Sequence, residues 1–215
     1  MFKNILAAAA FGAFAMGAQA ATNLLTNGDF ESAAANVPGG WSYCYDVAVP
    51  SGNPTCGAMT AVVAGWTGVV YIQSGSSAWQ TPNSQANSAG LGSMIAGVQG
   101  ASSLTSDYVF TAGQTYLLIW EDAGRAYGGS QQYTVSAGGV TDTQTFTTSP
   151  NGWTQHSFEF VADDSSALVF QGQIAADNTS FFDNVSVTAV PEPTSLLMMA
   201  FGTLGLLAWR RRAQV

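Results

Sequence analysis

The chain has 215 residues, with 24 glycines, only 8% charged residues, and thirteen acids against five bases for a net charge of −8. Between residues 21 and 190 twelve acids face one base, Arg125, so that span carries about −11. No Lys/Arg cluster exists there to neutralise phosphates, which excludes nucleic-acid binding and attraction to an anionic membrane, and leaves a neutral or cationic partner or a metal ion.

Residues 1–20 read as a signal peptide. Lys3 supplies a positive n-region, Ile5 to Met16 an apolar stretch, and Ala18-Gln19-Ala20 an A-x-A cleavage site before Ala21. Twelve residues rise about 18 Å as a helix, short of a ~30 Å hydrocarbon core, so export through the Sec machinery and signal peptidase is expected instead of a retained anchor.

The body, residues 21–190, is long enough for one core, and almost nothing in it reads as helix. Strands are expected at Val69–Gln73, Ser106–Phe110, Thr115–Trp120, Gln131–Ala137, Thr141–Thr147, Thr154–Val161, Ala167–Gln173 and Phe181–Thr188. Tyr133, Val135 and Ala137 share one face of their strand, as do His156, Phe158 and Phe160 of theirs. Thr111-Ala112-Gly113-Gln114 and Ala162-Asp163-Asp164-Ser165-Ser166 read as turns, and Gly138-Gly139 as a hairpin loop. Many short strands at this spacing predict an all-β fold, an antiparallel β-sandwich of the jelly-roll kind. Cys44 and Cys56 are the only cysteines, and in an exported chain an even count favours a disulfide, worth about 3 kcal/mol for so short a loop. Two cysteines with the distant His156 make a poor zinc set.

The C-terminus has three parts: Pro191-Glu192-Pro193, an apolar run from Leu196 to Trp209, and Arg210-Arg211-Arg212. The run makes a helix of about 21 Å, a short span whose prolines lie upstream, and the arginines belong on the cytoplasmic side. In this order the segments resemble the PEP-CTERM protein-sorting signal of Gram-negative bacteria, with Thr194 and Ser195 reversing the commoner order after Pro-Glu-Pro. The resemblance implies recognition by exosortase, removal of the helix (about 195–209) and basic tail, and a precursor held in the inner membrane before release to the cell surface or exopolysaccharide matrix. An unprocessed single-pass anchor is the alternative. The chain thus divides into 1–20, 21–190 and 191–215.

A second resemblance concerns the body. The segment from Asn23 through Asn27-Gly28-Asp29-Phe30-Glu31, then Ala112-Gly113-Gln114-Thr115-Tyr116 with Ala123-Gly124-Arg125, then Trp153 to Phe158, and finally Phe182-Asp183-Asn184-Val185-Ser186-Val187, is similar in order to galactose-binding-like jelly rolls found in carbohydrate-binding modules. Tyr43 to Ala89 departs from that pattern. The resemblance implies a structural calcium and a polysaccharide partner.

Asp29, Glu31 and Asp183 are the metal candidates, since the first and last strands of a jelly roll often lie side by side and carboxylates there would suit Ca2+. The competing reading is an Asn27-Gly28-Asp29 turn with solvated carboxylates. Arg125, alone among acids, is expected in a structural carboxylate pair or, alternatively, against a ligand. Sugar binding needs flat aromatic faces beside polar side chains, and Trp66, Trp79 and Tyr127 lie in suitably polar, glycine-rich surroundings, with burial in the core as the alternative for each. Catalysis finds little support: His156 alternates with core aromatics, no nucleophile elbow occurs, Glu121 and Asp122 are adjacent and so point to opposite faces of a strand, and nothing in the sequence draws Glu121 and Glu159 together as a pair. The function expected is non-enzymatic: a surface or matrix protein with a carbohydrate-binding jelly roll, or a purely structural or adhesive sandwich, with an envelope hydrolase third.

Overall fold

A computed structural model describes residues 22–33, 43–45, 64–68, 70–73, 94–126, 131–174, 178–191, 202 and 204. Among the described residues twelve strands are formed: β1 (Tyr43–Tyr45), β2 (Trp66–Thr67), β3 (Val70–Gln73), β4 (Met94–Gln99), β5 (Ser103–Ser106), β6 (Thr115–Gly124), β7 (Gln132–Ala137), β8 (Val140–Thr141), β9 (Phe146–Thr147), β10 (Thr154–Val161), β11 (Val169–Gly172) and β12 (Thr179–Ala189), with one 3-10 turn at Glu31–Ala33. Every pairing is antiparallel. One sheet runs β1-β3-β4-β12-β6-β10; the other runs β2-β5-β11-β7-β8, with β9 also on β7.

Alternation built most of these strands. Along β6 the even-numbered residues Tyr116, Leu118, Trp120 and Asp122 are buried and the odd-numbered Thr115 to Glu121 are half-buried. Between the sheets Trp120 meets Phe146 and Phe170 edge-on at 5.2 and 5.8 Å, and Phe182 meets Phe170 and Tyr133 at 4.5 and 4.9 Å. Each such side chain contributes about 1.5–3 kcal/mol by leaving water.

Three expectations need correction. β4 went unforeseen because Met94, Ile95, Ala96, Gly97 and Val98 are all buried. A strand covered on both faces shows no alternation to read. The strand expected at Ser106–Phe110 ends at Ser106; Tyr108 and Phe110 instead pack edge-on against each other and against Tyr116. The Thr141–Thr147 strand is broken in two, because the Asp142 carboxylate accepts the Gln144 N–H at 2.9 Å and turns the chain. The Gly138-Gly139 loop does join β7 to β8, at φ 56° and 80°, the left-handed values that a two-residue hairpin requires.

The two ends of the sandwich are distinct. At one, β12 finishes beside the 111–114 and 162–166 turns: Gly113 N–H reaches Ala162 O, Gly138 N–H reaches Ser166 O, and Val190 N–H reaches Thr115 O. At the other, Gly100 N–H meets Asn178 O, Gly124 N–H meets Ser149 O, and Arg125 N–H meets Thr179 O. Among the described residues no helix is long and apolar enough to cross a membrane. Residues 1–20 and most of Leu196–Trp209 lie outside the described residues, although Gly202 and Leu204 have helical backbone.

Candidate functional site

The N-terminal segment docks along the closing strand. Leu24 N–H donates to Val187 O and Val185 N–H to Gly28 O, each at 2.8 Å. Asn23 adds two side-chain bonds, donating to Val185 O and accepting from Val187 N–H, each at 3.0 Å. A Cβ at residue 28 would overlap the Val185 carbonyl, so this approach needs glycine. Asn27 (φ 54°) and Phe30 (φ 55°) then turn the chain so that Glu31 reaches β4, where its Oε1 accepts the Met94 N–H at 2.8 Å.

β12 breaks register between Asp183 and Ser186, with Asn184 at φ 49°. This bulge separates Val185 and Val187, which enter the inter-sheet core, from Asp183, which sits opposite Glu121 of β6. Asp183 is fully buried; Oδ1 accepts the Asn184 N–H at 2.7 Å, while Oδ2 has no hydrogen-bond partner. Burial, together with the charges of Glu31, Glu121 and Asp29, pushes the Asp183 carboxyl up to about 8. Glu121 Oε2 accepts from Asn184 Nδ2 at 3.3 Å. Beside this cluster an open cavity of about 320 Å³ is lined by Asn23, Asn27, Asp29, Asn184 and Ser186 among others. The three metal candidates thus share one neighbourhood, and Glu121 joins them. The sequence reading placed the first three together through adjacent first and last strands; in the structure residues 22–30 form no strand but dock on β12 by backbone hydrogen bonds, and strand register adds Glu121. These side chains are oxygen donors of the type a hard cation takes, and Asp183 Oδ2 is the buried one left without a partner. Among the described residues no group of three acidic, His or Cys side chains is gathered as a ready metal set.

A second polar cluster lies inside the core. Tyr133 donates its hydroxyl to Asp122 Oδ2 at 2.6 Å and accepts the Trp120 indole N–H at 2.8 Å. His156 Nε2 lies 3.1 Å from the same carboxylate oxygen, and its ring stacks on Trp120 at 5.3 Å. Burial and the Asp122 charge hold the Tyr133 phenol far above its ordinary range, so it stays a donor. The linear spacing of β6, β7 and β10 gave no sign of this grouping: β6–β10 register brings His156 beside Asp122, and the packing of the second sheet brings Tyr133 onto them.

Trp66 is no sugar platform. It is 3% exposed, its ring lies 5.2 Å from Phe30, and its indole N–H is shared between Thr26 O and Asn27 O at 3.1 and 3.0 Å. The neighbouring glycines are tight bends at positive φ, Gly65 pressed on Thr26 of the N-terminal segment and Gly68 on the Ser103 carbonyl of β5. Arg125 is half-buried where β6 ends, and Trp153 is half-buried ahead of β10. Trp79, Tyr127, Cys56, Glu192, Pro193, Arg210, Arg211 and Arg212 lie outside the described residues, as does the Cys44 side chain, whereas Pro191 is exposed.

Residues 189–212 match the PEP-CTERM protein-sorting motif. None of the curated proteins matches the chain. Among solved structures the chain is similar to a family 22 xylan-binding module from Paenibacillus barcinonensis, at 15% identity and TM-score 0.39, covering 60% of this chain and 87% of that one. It is also similar to a family 61 carbohydrate-binding module solved with β-1,4-galactotriose (14%, TM-score 0.42, 79% and 99%) and to the family 6 module of a laminarinase from Zobellia galactanivorans (13%, TM-score 0.36, 57% and 90%). The C-terminus therefore carries a protein-sorting signal, and its first residue, Ala189, is the last residue of β12.

Proposed function

We propose that the chain is a non-enzymatic, exported protein of the cell surface or exopolysaccharide matrix. Its signal peptide is removed by signal peptidase after Sec export, and its C-terminal helix holds a precursor in the inner membrane until exosortase removes the tail. The observation that carries this reading is the sorting motif at 189–212, which continues the closing strand without a linker, so the sandwich itself is the cargo. Pulse-labelling in a host with and without its exosortase tests it: the tail-bearing form should persist only without the enzyme, and identical processing in both would refute it.

A polysaccharide is the partner proposed for the sandwich, with Arg125, Trp79 and Tyr127 as the residues to probe. The solved structures named above bind glycans by their descriptions, and this chain resembles them in overall form. The exported protein on a glycan array, compared with Arg125→Ala and Tyr127→Ala, decides it; no glycan retained above background leaves the structural, adhesive reading. One observation favours that second reading: Trp66 is spent on the core.

The proposed cofactor is Ca2+, held by Asp183 and Glu31 with Asp29, and with Glu121 contributing charge. A bound cation would supply positive charge to a buried carboxylate that has none. Supporting this are the unpartnered Asp183 oxygen and the acids around it. Calcium should raise the melting temperature of the wild type and not of Asp183→Asn.

A further inference from the structure

Among the described residues, the end of the sandwich from which β12 departs is set apart in two independent ways. The first is apolar exposure. Outside the C-terminal tail, Val109 (65% exposed) and Val161 (52%) are the only large apolar side chains that stand exposed among the described residues, and both lie at this end. Val161 sits opposite Thr115 in the β6–β10 register, and Val109 precedes Phe110, whose ring packs on Tyr116 and Phe160 at 5.0 and 5.4 Å. Ala112 and Gly113, also exposed, crown the turn between them.

The second is the exit of the chain. Val190 donates its N–H to Thr115 O at 2.9 Å and accepts from Gln114 Nε2 at 3.1 Å, and the same amide donates to Thr115 O at 3.0 Å. The chain is therefore locked to the body through Val190. Only five residues, Pro191 to Ser195, separate that lock from the apolar run beginning at Leu196. Fully extended, they span about 20 Å at most, and a headgroup layer of about 5–8 Å takes up part of that reach.

We propose that this end face, with Val109, Ala112, Gly113 and Val161 at its surface, rests on the phospholipid surface while the precursor is anchored. The inference rests on the reading of the C-terminus as a membrane anchor and goes beyond it by fixing the orientation of the body. Attraction between charges does not drive the contact, because Asp107, Asp163 and Asp164 are exposed near the same end and the body is strongly acidic. It is an apolar contact made effective by the short tether, which holds the face at millimolar or higher local concentration. Anionic lipid should weaken it. The opposite end, with Arg125 and the turn at residues 100–102, then stands a further 30–35 Å or so from the bilayer, the length of an eleven-residue strand.

The test uses the full-length precursor in protein-free vesicles of phosphatidylcholine, with an encoded azide side chain at position 112, 161 or 101 carrying a clicked dye, and a nitroxide quencher on the lipid headgroup. Flotation reports anchoring separately. Quenching at 112 and 161 should exceed that at 101 at least threefold and should fall when a fifth of the lipid is anionic; with the dye at 112 it should fall again in Val109→Ser/Val161→Ser, two surface changes that leave the core intact. A precursor that floats with equal quenching at all three positions overturns the docking and leaves the anchor standing. One that does not float overturns both. Protection of 112 and 161 in native membranes but not in pure lipid assigns the face to a membrane protein, and so overturns the lipid contact.

Discussion

Replacing Asp183 by Asn should remove most of the pH dependence of folding in the cation-free protein. In the native state burial and the nearby Glu31, Glu121 and Asp29 raise this carboxyl from 3.8 to about 8. Below the unfolded value both states carry the proton and no penalty exists. As pH rises from there, the unfolded chain loses the proton while the native state keeps it, so stability falls; above the native value the loss is complete. At 1.36 kcal/mol per pH unit, a shift of this size is worth of order 5 kcal/mol, against a total of about 5–15 kcal/mol for a typical domain. The Asn variant keeps an oxygen to accept the Asn184 N–H and carries no charge to bury. Urea unfolding in EDTA at each unit from pH 5 to pH 9 measures the effect. The wild type should lose about 1 kcal/mol per unit up to pH 8, whereas Asp183→Asn should lack that slope and exceed the wild type at pH 9. A wild-type profile flat between pH 5 and 8, or two parallel profiles, would refute the argument. With calcium present, the wild type should recover at pH 8 and release close to one proton per ion bound at pH 7.

Other perturbations separate core from site. Tyr133→Phe leaves the buried Asp122 carboxylate and the Trp120 indole without the hydroxyl that joins them, and should cost about 3 kcal/mol in denaturant unfolding. Trp66→Ala should cost about 3–5 kcal/mol and, at temperatures where the variant stays folded, leave any glycan affinity unchanged; a selective loss of binding would return Trp66 to the ligand site. Gly28→Ala should push the N-terminal segment off β12, read as faster amide exchange at Val185, whose N–H bonds to Gly28 O; unchanged exchange there would refute the close approach.

The C-terminal sorting motif and the all-β class were legible in the linear chain because each rests on local pattern: Pro191-Glu192-Pro193 and an apolar run before Arg210-Arg211-Arg212, and alternation such as Tyr133-Val135-Ala137. Asp29 and Glu31 do approach Asp183, but on an N-terminal segment that docks along β12 without being the strand expected there. Tertiary structure alone decided which aromatics were spent on the core. Trp66 has the same glycine-rich flanks whether it caps a groove or fills one, and only Thr26 and Asn27, forty residues away, seal it. It also decided that Asp122, Tyr133 and His156 meet, because local spacing sets the face a side chain occupies, while strand register sets what lies beside it and sheet packing what lies across from it. Burial on both faces erased β4 from the pattern, since alternation marks a strand only when one of its faces is wet.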